Sequence, residues 1–302
     1  MGCRSPRRRY RSRLGVLLWC AHPAASYLAL PPLTGAEAGA ASVVGALFGT
    51  ESSSAAFARS SMSSRQIEAS TEFRSRHKSL TYGEFDLPFF FQLLGLVRPR
   101  PGEVFCDVGS GCGRLVLAAA LAYPWECACG VEVLSELHEL AVRSHTQLVS
   151  FIEEGEEEEA ARVLADKREG GEQAAHPIAL APCDFLCGEA SRLLPQLLLR
   201  KDGHGQQSVV VFVYATAWPS SGPYLTELSR TLGTVLPLGS RVITVDKQLV
   251  SDDSTAAEWT FELVHPPLEA ANYNTVSSVG YVYEVVPAAS SAVSGPSEVS
   301  TR

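Results

Sequence analysis

Three things are scarce in this 302-residue sequence: paired cysteine ligands, long apolar runs, and basic residues in the main body. Eight cysteines are present, Cys3, Cys20, Cys106, Cys112, Cys127, Cys129, Cys183 and Cys187, yet none forms a Cys-x-x-Cys unit. A structural zinc centre normally pairs such units, so no metal is expected. Three of the thiols fall in or beside apolar, strand-like runs, where cysteine behaves as a small hydrophobe; free thiols point to a reducing compartment. The apolar run Leu14–Ala21 is cut by His22 and Pro23. It is far short of the roughly 20 residues that a membrane-spanning helix needs.

Charge is distributed unevenly. The first 80 residues hold 11 Lys/Arg against 4 Asp/Glu, which leaves 14 basic and 29 acidic groups, a net −15, for the rest of the chain. Broad binding to a phosphate backbone requires a basic face, so strong nucleic-acid binding by the body is not expected. A basic protein partner suits it better. With 46% hydrophobic and 19% charged residues, the chain has ample material for a large core.

What is present begins with a basic leader. Arg4, Arg7, Arg8, Arg9, Arg11 and Arg13 are followed by the short apolar run and then by an Ala/Ser/Gly-rich, acid-poor stretch. This reads as a presequence or a disordered segment over residues 1–64, and Met62 offers an internal start that would omit it. The destination would be a plastid or mitochondrion if the leader acts as a presequence. Residues 65–287 then form one domain with an acidic insert near 152–176, and residues 288–302 are a Ser/Ala-rich tail.

Within the domain, strands are predicted at 103–108, 127–131, 177–181, 209–213, 239–245, 259–264 and 280–286. Helices are predicted at 84–97, 114–122, 134–151, 189–200 and 224–235. Strand–helix alternation implies a mostly parallel, doubly wound α/β sheet. The last two strands have no helix between them, so the seven-stranded sheet should end in a hairpin with one antiparallel strand.

The most specific segment is Val104-Phe-Cys-Asp107-Val-Gly109-Ser110-Gly111-Cys-Gly113-Arg114. A strand enters it and a helix leaves it, the setting in which glycines let backbone approach a ligand. The dinucleotide pattern needs a further glycine where Arg114 stands, so a cofactor without phosphates is expected. Asp107 would hold such a cofactor's amino-acid end. Glu132 ends the next strand and is placed to accept from ribose hydroxyls. Asp184 is expected just after the third strand to accept from an adenine amino group, with Phe185 packing on the base.

These residues resemble the histone-lysine methyltransferases named for disruption of telomeric silencing, over about residues 80–286. Thr81-Tyr82-Gly83-Glu84 is similar to that family's cofactor loop, and Asp107 to Gly113 to its glycine segment. Gly130-Val-Glu132 is similar to its ribose motif, Asp184-Phe185-Leu186 to its adenine motif, and Gly239-Ser-Arg-Val-Ile243 to a later strand. The resemblance implies a class I fold, S-adenosyl-L-methionine as cofactor, and cofactor contacts from Tyr82, Gly83 and Glu84. It implies a histone lysine as acceptor and a nuclear location. Two departures stand out. Tyr214 replaces the asparagine that the family carries after its fourth strand, and the basic flank that holds nucleosomes is missing. Tyr214 and Trp218 are expected to wall the acceptor channel, with Tyr82 as a further polar group there. The competing readings are a methyltransferase for a non-histone protein or small molecule, and a non-catalytic cofactor-binding scaffold.

Overall fold

The structure is a computed structural model and describes residues 32–48, 85–166, 180–198, 208–215, 218, 220–251, 258–272 and 275–288. Helix α1 (Gly35–Phe48) is followed by α2 (Leu87–Leu96), β1 (Val104–Val108), α3 (Arg114–Ala122), β2 (Cys127–Glu132) and α4 (Ser135–Asp166). Then come β3 (Cys183–Cys187), α5 (Ala190–Leu198), β4 (Val209–Tyr214), α6 (Thr226–Val235) and β5 (Arg241–Val245). Strands β6 (Trp259–Leu263), β7 (Leu268–Asn272) and β8 (Thr275–Pro287) complete the order.

The sheet runs β3-β2-β1-β4-β5-β8-β6, with β7 attached to β8. Strands β3, β2, β1, β4 and β5 are mutually parallel, and β8 is antiparallel to β5, β6 and β7. This is the mostly parallel, doubly wound sheet that the strand–helix alternation implies, with its antiparallel strand near the edge. Strand order reverses between β1 and β4, the switch point beside which open α/β sheets take their ligands.

The pleat sorts side chains into two layers. Phe105, Ala128, Val210, Phe212 and Ile243 enter one, with α1, α2, α3 and Leu148 of α4. Cys106, Cys129, Val131, Val211 and Val242 enter the other, beneath α5 and α6. Helix α2 starts where Asp86 accepts a hydrogen bond from the Phe89 amide (2.9 Å), ahead of Pro88 in the first turn. At the opposite ends of the strands, Arg241 and Ser208 both donate to the buried carboxylate of Glu103. Those bonds hold Glu103 below the ordinary carboxylate range against burial, which pushes the other way.

Three expectations are corrected. The third strand is Cys183–Cys187, not 177–181; of the latter residues only 180 and 181 are described, and they are coil. The run Cys-Asp-Phe-Leu-Cys pairs along all of Ala128–Glu132, whereas the run before it, Ile178-Ala-Leu-Ala181, is closed at both ends by Pro177 and Pro182. An eighth strand, β7, precedes β8 and forms its hairpin. Finally, residues 35–48 belong to the domain: Ala40, Val44 and Phe48 are buried in the core, so the N-terminal segment is not wholly outside the fold. The stretch beginning at residue 152 continues α4 as helix to Asp166.

Candidate cofactor and active site

The glycine loop leaves β1 at its C-terminal end and is pinned onto β2. The amides of Gly109 and Ser110 both donate to the Val131 carbonyl (2.8 and 3.1 Å), and Gly113 donates to the Ser110 carbonyl (2.9 Å). Gly109, Gly111 and Gly113 have φ of 88°, 54° and 81°. Gly113 shows why glycine is needed: a Cβ there would meet Phe185 at 2.8 Å and Ala141 at 2.9 Å. Gly130, on the neighbouring strand, makes room for Ser110, since a Cβ would lie 2.6 Å from the Ser110 hydroxyl oxygen. Both that hydroxyl oxygen and Nδ1 of His138 are buried with no hydrogen-bond partner among the described residues.

Asp107 and Glu132 share one face of the sheet. Cys106 and Val108 flank Asp107 and enter the α5/α6 layer, so Asp107 points the other way, as Phe105 does. The same alternation, from Val131, sends Glu132 to that side. Asp107 pairs in register with Gly130, two residues before Glu132. Burial, and then the Glu132 charge, push the Asp107 carboxyl up to about 8. No hydrogen bond to it occurs among the described residues. Glu132 is better furnished. It accepts from the amides of Gly111 (2.8 Å) and Leu134 (2.9 Å), which, with the nearby His138, offset part of the upward push of burial. A carboxylate has about four acceptor positions, so Glu132 keeps capacity for a ligand's hydroxyls.

The third acid does not join them. Cys183 and Phe185 pack in the layer of Asp107 while Leu186 packs in the other, which turns Asp184 to the opposite face. Its charge acts on the Cys129 thiol of that opposite layer. Asp184 is also level with Cys129, three residues short of the strand end that pairs Cys187 with Glu132. The expectation that Asp107, Glu132 and Asp184 converge is therefore corrected to a pair. Phe185 packs against the backbone of Gly113 and Gly130 and lies 5.9 Å, ring to ring, from His145. It wedges between the glycine loop and α4 and remains partly exposed.

The acid that does stand beyond the end of β3 is Glu189, which sequence reasoning passed over as the start of a helix. Gly188 (φ 153°) turns the chain out of the strand, its amide donating to the Glu132 carbonyl (2.8 Å). Glu189 then opens α5, its carbonyl accepting from Leu193, and its exposed carboxylate lies 3.5 Å from Arg192. The signal for it was the Gly-Glu step after an apolar run, once that run is recognised as the strand.

On the other side of the switch point, Tyr214 is the last residue of β4 and faces the Asp107 side. Its ring lies 5.1 Å from Phe85. Phe85 is itself held by Arg114, which donates to its carbonyl (2.9 Å), so the start of α3 is tied to the entry of α2. Trp218 closes over the first loop glycine: its indole nitrogen is 3.5 Å from where a Cβ of Gly109 would be. Tyr214 thus packs in the layer of Asp107, whereas Trp218 packs with the α5/α6 layer and reaches the loop at Gly109. Tyr82, Gly83 and Glu84 lie outside the described residues. No cluster able to hold a metal ion occurs among the described residues, and none of their helices is long and apolar enough to cross a membrane.

Residues 47–157 match the family of the histone methylation protein DOT1. The DOT1 match begins at the end of α1 and runs into α4, so it contains the glycine loop, Asp107 and Glu132. Glu189, Tyr214 and Trp218 lie beyond it. Among solved structures, the chain is similar to MtNAS in complex with MTA and tNA, at 15% identity and a TM-score of 0.38. That alignment covers 66% of this chain and 61% of that one. It is also similar to an RNA methyltransferase from Salinibacter ruber in complex with S-adenosyl-L-homocysteine (17% identity, TM-score 0.38, 74% of this chain and 100% of that one). A third is the rRNA methyltransferase aviRa from Streptomyces viridochromogenes (16% identity, TM-score 0.42, 77% and 96%). No curated protein matches the chain in sequence.

Proposed function

We propose that this protein is an S-adenosyl-L-methionine-dependent methyltransferase whose acceptor is a lysine of a basic protein, a histone lysine by its DOT1-type segment. The observation that carries the cofactor is the buried Asp107 beside Glu132 under a left-handed glycine loop. A buried carboxyl with no donor among the described residues, pushed up to about 8, gives up its proton at neutral pH only when a cation meets it. An amino-acid ammonium is such a cation, and glycines at 109 and 111 add no side chain of their own to obstruct it. Glu132 would take the ribose hydroxyls and Glu189 the adenine edge. Ser110, whose buried hydroxyl has no partner among the described residues, is a further polar contact of the loop. Tyr82, Gly83 and Glu84 remain assigned to the cofactor by resemblance alone.

S-adenosyl-L-methionine supplies a methyl group on a sulfonium, and transfer is an in-line displacement by the acceptor nitrogen. The chain's task is positioning, and holding two reactants in attack geometry is worth about 7–11 kcal/mol. A lysine must arrive neutral, which an apolar passage favours by disfavouring its charged form. Tyr214, packed on Phe85, and Trp218 supply aromatic walls for that passage, and attraction of an incoming ammonium to an indole face contributes about 0.5–2 kcal/mol. The net −15 of residues 81–302 supports a basic protein acceptor over nucleic acid. A histone acceptor places the protein in the nucleus; a leader acting as a presequence places it in a plastid or mitochondrion.

A second reading is favoured by Tyr214, which narrows the position where the family has asparagine: a non-histone protein or small-molecule acceptor. Transfer of labelled methyl to core histones, nucleosomes and a cell extract separates the two. Label on histone lysine supports the first reading, and label on another acceptor supports the second. Cofactor binding with no transfer to any of them overturns both in favour of a scaffold.

A further inference from the structure

Helix α3 raises a packing problem that α1 solves. Its sequence, Arg-Leu-Val-Leu-Ala-Ala-Ala-Leu-Ala, carries no polar face, and every residue from Arg114 to Ala120 is buried. A helix apolar all round must be covered on both sides. The sheet covers one side, and Ala40, Val44 and Phe48 of α1, exposed by 3%, 0% and 8%, join the same core cluster. Small residues at Ala40 and Ala41 suit close approach to an Ala-rich neighbour.

The start of α1 is fixed as well. The Thr34 amide donates to the Glu37 carboxylate (2.7 Å), and the Glu37 amide donates back to the Thr34 hydroxyl (3.3 Å), a reciprocal capping box. The other Glu37 oxygen accepts from the hydroxyl of Tyr123, the residue that ends α3. Burial, together with that bond, drives the Tyr123 hydroxyl far above its ordinary range. Thr34, Glu37 and Tyr123 therefore clamp the two helices together at one end, and Phe48 seals the other.

We infer that Thr34 marks the N-terminal boundary of the working domain: any leader removal that yields an active protein cuts upstream of Leu33, and a product initiated at Met62 is not a working methyltransferase. A start at Met62 would strip the cover that α1 gives α3 and remove Glu37 from Tyr123. The DOT1 match begins only at residue 47, so this buttress lies almost entirely outside the matched segment. The helix that α1 covers carries the glycine loop at its first turn, which couples the buttress to the cofactor site.

The test compares chains beginning at Met1, Pro32 and Met62, with Val44→Asp in the full chain as a point lesion of the same contact. Thermal melting and hydrogen exchange of residues 38–48 are the readouts, with the mature N-terminus of the native protein read by mass spectrometry. The Met1 and Pro32 chains are expected to melt together and to protect residues 38–48. The Met62 chain and the Val44→Asp variant should melt lower by roughly 5 °C or more, or fail to fold. A Met62 chain as stable as the Pro32 chain overturns the inference. So does an active native protein whose N-terminus lies between residues 35 and 62, or full exchange of residues 38–48 in the intact chain.

Discussion

Replacing Asp107 by asparagine should make the unliganded protein more stable and its cofactor site worse. Asp107 is 3% exposed and sits beside Glu132, so the folded state keeps its proton up to about pH 8, whereas the unfolded chain releases it near the ordinary 3.8. Between those values the native state binds more protons than the unfolded state, and stability falls as pH rises. Each pH unit in that window costs about 1.4 kcal/mol. From about pH 5 to about pH 8 the wild type should lose roughly 4 kcal/mol that the Asp107→Asn variant retains. Coupling to Glu132, whose own carboxyl is pushed upward by burial, trims this difference without changing its sign. Urea unfolding of both proteins without ligand, at three pH values across that range, measures it directly. The variant should also bind S-adenosyl-L-methionine at least about tenfold more weakly, the loss of a charge-assisted contact. Parallel stability profiles for the two proteins would mean that Asp107 is already ionised or already satisfied, and that no buried proton is held there.

Other outcomes follow from the same geometry. Gly113→Ala forces a Cβ into Phe185 and Ala141 at a φ of 81°, and should cost about 1–3 kcal/mol in urea unfolding. Glu189→Ala should weaken S-adenosyl-L-methionine binding about tenfold in calorimetry, while Asp184→Ala, on the opposite face, should leave it within about twofold. Glu103→Gln breaks the buried pair with Arg241 and should destabilise the fold by about 3–5 kcal/mol, with cofactor affinity unchanged because the pair lies at the far ends of the strands.

The glycine loop was legible because strand, glycines and helix are contiguous and their spacing alone excludes a dinucleotide cradle. Glu132 was legible for a related reason: it closes an uninterrupted strand. The third strand was not, because two short apolar runs, 177–181 and Cys183–Cys187, compete within a dozen residues, and only pairing with β2 decides between them. That choice moved Asp184 from beyond a strand end to its interior, where a shift of one position reverses the face a side chain takes. It also hid Glu189. Helix α1 escaped notice since its Gly/Ala/Ser sequence has almost no amphipathic signal; its place is dictated by the apolar α3, which is remote in sequence. The β7–β8 hairpin follows the same lesson, its short first strand being held by β8 and not by any pattern of its own.

A crystal structure of the protein with S-adenosyl-L-homocysteine would show directly which strand ends hold the nucleoside. Ribose hydroxyls should lie on the Glu132 carboxylate, the amino-acid nitrogen within hydrogen-bond distance of Asp107, and the adenine toward Glu189. A nucleoside bound on the Asp184 face of the sheet, or away from the glycine loop, would contradict it.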